Sequence, residues 1–241
     1  MNLSSTQTVK SFAPFTVYTA CDFSGYTLKH LQAMYPHSWK EAAPYFGIAL
    51  PELPKLPKLT VHQIKHKAIA QQVYDFYPIP GAVIGKMIDV AGIEPHHHVL
   101  EPSAGTGDLV SAIADLGASH IDCFEINPDL QFALTLQGLN VVGADFLASI
   151  PQPIYDRVLA NPPFSYNGVA RHTTHAFNFL KPGGRLVMIA HHYKLKPSQS
   201  DKQFFAWLKD NKAKFLNLGQ AFKNSDRPTS TPIQLIRIDK P

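Results

Sequence analysis

His98-Val99-Leu100-Glu101-Pro102-Ser103-Ala104-Gly105-Thr106-Gly107-Asp108-Leu109 is the stretch whose reading decides the fold. An apolar run ends on a carboxylate, passes through a glycine turn and opens a helix that carries Leu109, Ile113 and Leu116 inward. Glycines allow φ > 0 and let the backbone approach a ligand closely. The G-x-G spacing lacks the third glycine of a dinucleotide fingerprint, and no G-K-[ST] follows, so dinucleotides and nucleoside triphosphates fall behind as ligands.

Downstream, the spacing predicts a second strand, Ile121-Asp122-Cys123-Phe124-Glu125, which also ends on a carboxylate. An acid about 20 residues beyond a glycine turn is placed to bind ribose hydroxyls. Asn127-Pro128-Asp129 reads as a helix start. A third strand, Leu139 to Val142, leads into Gly143-Ala144-Asp145-Phe146-Leu147, where Asp145 can accept from an adenine amino group and Phe146 can form an apolar wall. A fourth strand, Arg157 to Ala160, runs into Asn161-Pro162-Pro163-Phe164. In isolation such a segment is a Pro-rich turn. Its chemistry is more specific: the Asn161 amide oxygen and the Pro162 carbonyl are acceptors, and proline adds no N–H. Two acceptors hold the hydrogens of a planar NH2, and Phe164 offers a face on which the attached ring can stack. These are the requirements of methyl transfer to an exocyclic amino group.

With these residues in view, the chain resembles the class I S-adenosylmethionine-dependent methyltransferases, in the amino-methyltransferase group with a D/N/S-P-P-Y/F motif, best known from DNA adenine-N6 methyltransferases. The resemblance covers roughly residues 58 to 241 and rests on E-P-S-A-G-T-G-D (101–108), F-E-I-N-P (124–128), G-A-D-F-L (143–147) and N-P-P-F (161–164). It implies that Glu101, Gly105 and Gly107 surround the methionine part of S-adenosyl-L-methionine, with Ser103 and Asp108 as further cofactor contacts. Glu125 and Ile126 would meet the ribose region, and Asp145 and Phe146 the adenine. Asn161 would touch both cofactor and target, with Pro162, Pro163 and Phe164 completing the catalytic clamp. The family's aromatic-x-Thr-Pro element corresponds to Phe76-Tyr77-Pro78-Ile79-Pro80, with Tyr77 and Pro80 as cofactor contacts and Ile79 where a threonine is usual.

The expected fold is therefore α/β: a Rossmann-like, seven-stranded, mostly parallel sheet with helices on both faces and a small N-terminal extension. Residues 1–57, rich in aromatics and prolines, read as the extension and a Pro-rich linker, and 58–241 as the methyltransferase domain. Helices are expected from Thr60 to Tyr74, from Pro80, over 171–180 and over 201–211. A fifth strand is expected at Arg185–Ala190, after the turn Lys181-Pro182-Gly183-Gly184, and the last two at 215–218 and 233–238.

Two loops are candidates for substrate recognition. Tyr166 and Arg171 follow the clamp; Lys223 and Arg227 lie between the last two strands, with a solvated hairpin as the alternative reading there. His191 and His192 follow the fifth strand and are further candidates for substrate contact. His62 and His66 have the i, i+4 spacing of a metal pair without a matching Cys or carboxylate partner, so no metal is expected.

The composition agrees. In 241 residues, 45% are hydrophobic and the formal charge is +4, with a pI near 8.9; this mildly basic balance permits nucleic acid as a partner. The start lacks a secretory signal, no run spans a membrane, and the two cysteines, Cys21 and Cys123, form no metal spacing. Reduced thiols and a cytoplasmic location are expected, with a monomer plausible. The favoured substrate is adenine N6 in DNA with little sequence context, because no room remains after the motifs for a large recognition region. Adenine in RNA, cytosine N4, a protein glutamine amide, or a non-catalytic cofactor- or partner-binding module are the alternatives.

Overall fold

The computed structural model describes residues 9–12, 15–18, 59–191 and 198–241. The expected linker, His192 and Cys21 lie outside these residues. The chain divides into two compact units, Met1–Lys58 and Leu59–Pro241. Of the first, the described part is an antiparallel pair of strands, β1 (Val9–Phe12) and β2 (Phe15–Tyr18).

In the second unit, α1 (Val61–Ala70) and α2 (Gly81–Ala91) precede β3 (His98–Glu101). Then follow α3 (Asp108–Ala114), β4 (His120–Phe124), α4 (Pro128–Leu136), β5 (Asn140–Gly143) and β6 (Tyr155–Ala160). The chain continues through α5 (Gly168–Phe177), β7 (Leu180–His191), α6 (Gln199–Asp210), β8 (Lys214–Gly219) and β9 (Ile233–Asp239). The seven strands are ordered β5-β4-β3-β6-β7-β9-β8. All pairings are parallel except those of β9, which runs antiparallel to both β7 and β8. The order reverses beside β3, so connections leave β3 and β6 in opposite directions and open a crevice at their carboxyl ends.

Alternation along the central strands builds two cores. Val158, Leu186 and Met188 join Phe146, Phe179, Phe204 and Leu208 on one face. Leu159, Val187 and Ile189 join Met87, Leu109, Ile113 and Phe222 on the other. Successive strand side chains point to opposite faces, so apolar runs of this kind need cover on both.

Four boundaries differ from the sequence reading. The first helix is capped by Thr60, whose side chain and Gln63 form a capping box, but it stops at Ala70 rather than Tyr74. Gln72 and Asp75 have φ of 50° and 52°, which turns the chain out of the helix. Leu116 lies beyond the end of α3 and is 46% exposed instead of facing inward. Lys181-Pro182-Gly183-Gly184 falls within the span of β7, because a register shift opposite Tyr155–Arg157 absorbs the extra residues. A bulge accommodates a proline and a glycine that a regular ladder would reject. Consistently, the helix expected over 171–180 begins earlier and ends at Phe177.

Candidate active site

A cavity of about 570 Å³ opens over the carboxyl ends of β3, β4, β5 and β6. That volume lies within the roughly 300–1,000 Å³ of small-molecule sites. Its wall brings together Tyr77, Glu101, Ser103, Gly105, Asp108, Glu125, Ile126, Asp145, Phe146, Asn161, Pro163, Tyr166 and Arg171.

The turn after β3 is organised around two buried carboxylates. Glu101 is 1% exposed; its Oε1 accepts from the Ser103 N–H at 3.1 Å, and Oε2 has no partner. Burial pushes its pKa well above the usual carboxylate range, the nearby Glu125 adds to that, and the Ser103 N–H opposes it. Glu125 accepts from the Gly105 N–H at 2.7 Å and the Asn127 N–H at 2.8 Å. Burial also raises its pKa, against these backbone donors. One carboxylate thus ties the β3 turn to the β4 turn. Gly105 has φ of 57°, and a Cβ there would meet the Phe76 ring at 3.0 Å.

At the end of β6, Asn161 Nδ2 donates to the Tyr77 carbonyl at 3.0 Å, and its Oδ1 is buried without a partner. The amide therefore presents its acceptor with one of its two N–H donors already used. The clamp closes tightly onto α5: a Cβ on Gly168 would lie 2.0 Å from the Pro163 carbonyl oxygen, so only glycine fits. Asp145 accepts from Leu147 N–H at 2.9 Å and caps the short turn that carries Phe146.

Several expected site residues stand elsewhere. Phe164 lies off the cavity, half-buried between the two cores, with its ring edge-on to His191 at 5.9 Å. Both line a second cavity of about 650 Å³. Pro162 is buried beside the wall without lining it. Gly107 caps α3 and packs toward Leu139 and Leu134, and Pro80 caps α2. Lys223 is exposed and away from both cavities. Arg227, expected to meet phosphate, points into the protein. Its Nη1 donates to the carbonyls of Val73 and Phe76, and the guanidinium lies 4.3 Å from the Tyr77 ring centroid. Two buried-facing carbonyls and an aromatic face outcompete solvent for that cation.

The sequence reading put the cofactor beside Phe76 to Pro80 but missed Val73, Tyr74 and Asp75, which complete the cover of the cavity. Val73 to Ile79 all line it, and Asp75 accepts from both the N–H and the Oγ of Ser165, at 3.2 and 3.1 Å. Lys65, on α1, bridges Asp108 at 3.0 Å and Asp226 at 3.1 Å. His172 lies under the same wall, its Nδ1 held 2.9 Å from the Gly168 carbonyl. Asp75 and Lys65 act through partners far along the chain, so no local pattern marks them.

Among the described residues, Glu94, His96 and His97 bring three ligand atoms within 4.8 Å of one another, at the end of β3 opposite the cavity. His97 Nδ1 accepts the Glu94 N–H at 2.9 Å. Its neutral ring therefore carries the proton on Nε2 and offers no lone pair there. His62 and His66 place their Nε2 atoms 3.0 Å apart on exposed α1.

The fold is that of the class I S-adenosylmethionine-dependent methyltransferases. Geranyl diphosphate C-methyltransferase of Streptomyces coelicolor, solved with S-adenosyl-L-homocysteine, superposes with a TM-score of 0.54 over 78% of this chain and 86% of its own, at 14% identity. A candidate RNA methyltransferase of Pyrococcus horikoshii gives 0.53 over 74% and 98%, at 20% identity. In sequence, the chain resembles the type II DNA methyltransferase M.HincII of Haemophilus influenzae, 27% identical over 85 residues. That stretch is 35% of this chain and spans only 16% of the relative. No family model matches. No helix among the described residues is long and apolar enough to cross a membrane.

Proposed function

We propose that residues 58–241 form an S-adenosylmethionine-dependent methyltransferase that modifies the exocyclic N6 amino group of adenine in nucleic acid, with DNA as the preferred substrate. The observation that carries this reading is the buried, unpartnered Oδ1 of Asn161 on the cavity wall, with its own NH2 already bound to Tyr77. A lone buried acceptor costs roughly 1–3 kcal/mol unless a donor reaches it, and an incoming amino group supplies one. The sequence likeness to a DNA methyltransferase favours nucleic acid over other amino-bearing substrates.

The donor set fits the cofactor. Glu101 Oε2 and Ser103 Oγ are buried without partners, beside the turn where a cationic ammonium and sulfonium would be welcome. Glu125 and Asp145 are spaced along the same wall for the ribose and adenine. When bound, S-adenosylmethionine supplies a methyl group already activated by a positively charged sulfur. The protein's part is orientation. Asn161 Oδ1, on the cavity wall, would accept a hydrogen of the target NH2 and orient its lone pair for attack. Transfer would break the methyl–sulfur bond, the sulfur leaving with the bonding pair, as the nitrogen–carbon bond forms; positive charge growing on nitrogen would strengthen the hydrogen bond to Asn161 until a proton leaves to solvent. If the target lies in a duplex it must be flipped out, at a cost of a few kcal/mol.

The test is transfer of labelled methyl to unmodified DNA, total RNA and a protein extract, with nucleoside analysis. N6-methyladenine in DNA supports the proposal. Label confined to RNA or to protein replaces the substrate, and no label despite cofactor binding overturns the enzymatic reading.

A further inference from the structure

Strongly exposed hydrophobic side chains gather on the wall of the cofactor cavity. Among the described residues, the four most exposed large hydrophobics are Tyr166 at 85%, Ile150 at 84%, Ile126 at 68% and Tyr74 at 66%. Three of them, all but Ile150, line this one cavity. Clustered apolar exposure around a concave site marks a ligand surface, whereas scattered exposure does not.

Tyr74 and Tyr166 come from segments about ninety residues apart, yet their rings lie 6.4 Å from centroid to centroid, tilted by 31°. The carboxylate of Asp75, next to Tyr74, holds both the N–H and the Oγ of Ser165, next to Tyr166. Backbone strain is concentrated in the same two segments. Among the described residues, the non-glycine residues with φ > 0 are Gln72, Asp75, Tyr166, Asn167 and Lys212, and four of these five flank the aromatic pair or belong to it. For a tyrosine, φ of 50° is costly, on the order of 1–3 kcal/mol, and it persists where surrounding contacts enforce it. Here the enforcement holds an aromatic ring in water, where it contributes nothing to the core. Phe164, by contrast, is packed between the two cores and edge-on to His191. Phe76 and Phe146 also line the cavity but are buried, and Arg227 covers the Tyr77 ring, so the exposed stacking surface is that of Tyr74 and Tyr166.

We propose that Tyr74 and Tyr166, latched by Asp75 and Ser165, form an aromatic jaw that grips a nucleobase of the substrate strand at the mouth of the cofactor cavity. This rests on the reading of the chain as a nucleic-acid methyltransferase. Every base has a π-face, so such a jaw binds single-stranded or flipped nucleotides without demanding a sequence. Arg171, on the same wall, offers a cation for the accompanying phosphate.

The experiment uses the full chain, a single-stranded oligonucleotide carrying 2-aminopurine, and the variants Tyr74→Ala, Tyr166→Ala, Tyr74→Phe and Tyr166→Phe. Cofactor affinity is measured in parallel by calorimetry. Stacking predicts quenched 2-aminopurine on the unaltered protein and oligonucleotide affinity reduced ~10-fold by each alanine. The phenylalanine variants should stay within about twofold, and cofactor affinity within about threefold in all four. Alanine variants that bind oligonucleotide as the unaltered protein does would overturn the jaw and leave the methyltransferase reading standing. So would a loss of cofactor affinity as large as the loss of oligonucleotide affinity, which would assign the tyrosines to the cofactor. An unaltered protein that binds cofactor but no oligonucleotide would remove the nucleic-acid reading and the jaw with it.

Discussion

The two sides of the cofactor cavity are built by different means. Its floor, the turns after β3 and β4, is held by short-range bonds. Ser103 and Asn127 each donate to a carboxylate two positions away, and Gly105 donates to Glu125 twenty positions on. Its cover is held by bonds of long range. Asn161 meets Tyr77 across 84 residues, Ser165 meets Asp75 across 90, and Arg227 meets Phe76 and Val73 across 151 and 154. The floor is thus a local motif that forms wherever its two strands pair. The cover exists only once the whole sheet is assembled, and it determines which atoms of the clamp remain free.

The sharpest way to break this contrast is at the clamp, where floor and cover meet. Asn161→Ala removes the free acceptor, and turnover should fall about 10²–10³-fold, the cost of losing one preorganised hydrogen bond in the transition state. Cofactor affinity by calorimetry should change less than about threefold, and equal losses would show that Asn161 belongs to the floor instead. Gly168→Ala drives a Cβ to 2.0 Å from the Pro163 carbonyl oxygen. Unfolding in denaturant should show a loss of about 1–3 kcal/mol, typical of overpacking, with activity reduced because the clamp itself must move.

Arg227→Ala probes the cover alone. It leaves the Val73 and Phe76 carbonyls without their donor and strips the cation from Tyr77, so a loss of about 1–3 kcal/mol is expected. Arg227→Lys should recover little, because one ammonium cannot reproduce the planar fork.

Glu101→Gln probes the floor. The folded pKa of Glu101 is raised, first by burial. Its contribution to stability is therefore present below the unfolded value of about 4.3 and lost as pH rises through the folded value. The glutamine variant should remove that loss, so its thermal midpoint at pH 8 without cofactor should exceed that of the unaltered protein. Cofactor affinity should drop, because the neutral amide cannot answer a cationic ligand. The smallest effect is expected from Lys65→Met. Its pair partners Asp108 and Asp226 are 36% and 61% exposed, so at most ~1 kcal/mol should be lost, and less in high salt.

How much of this was legible beforehand follows the same division. The strand–turn–helix pattern from His98 to Leu109 and the strand ending at Glu125 placed seven strands in a mostly parallel sheet, because apolar periodicity and glycine turns act over a few residues. It went wrong where tertiary contact overrides local preference. The helix over 60–74 stops at Ala70 because Val73 to Ile79 are drawn over the cavity. Arg227, which as a loop cation suggested phosphate, is recruited by backbone carbonyls that only the folded sheet brings near.

The amino-acid sequence by itself determined the order of the elements, the carboxylates at the strand ends and the acceptors of Asn161-Pro162-Pro163, since these depend on residue type and near-neighbour spacing. Tertiary structure alone decided which of those groups face the cavity. It turned Phe164 into the core, brought Tyr74 and Tyr166 together at the mouth, and fixed the Asn161 amide with its oxygen free. Hydrogen bonds and packing between residues 84 to 154 positions apart set those orientations, and no local pattern encodes the outcome of that competition.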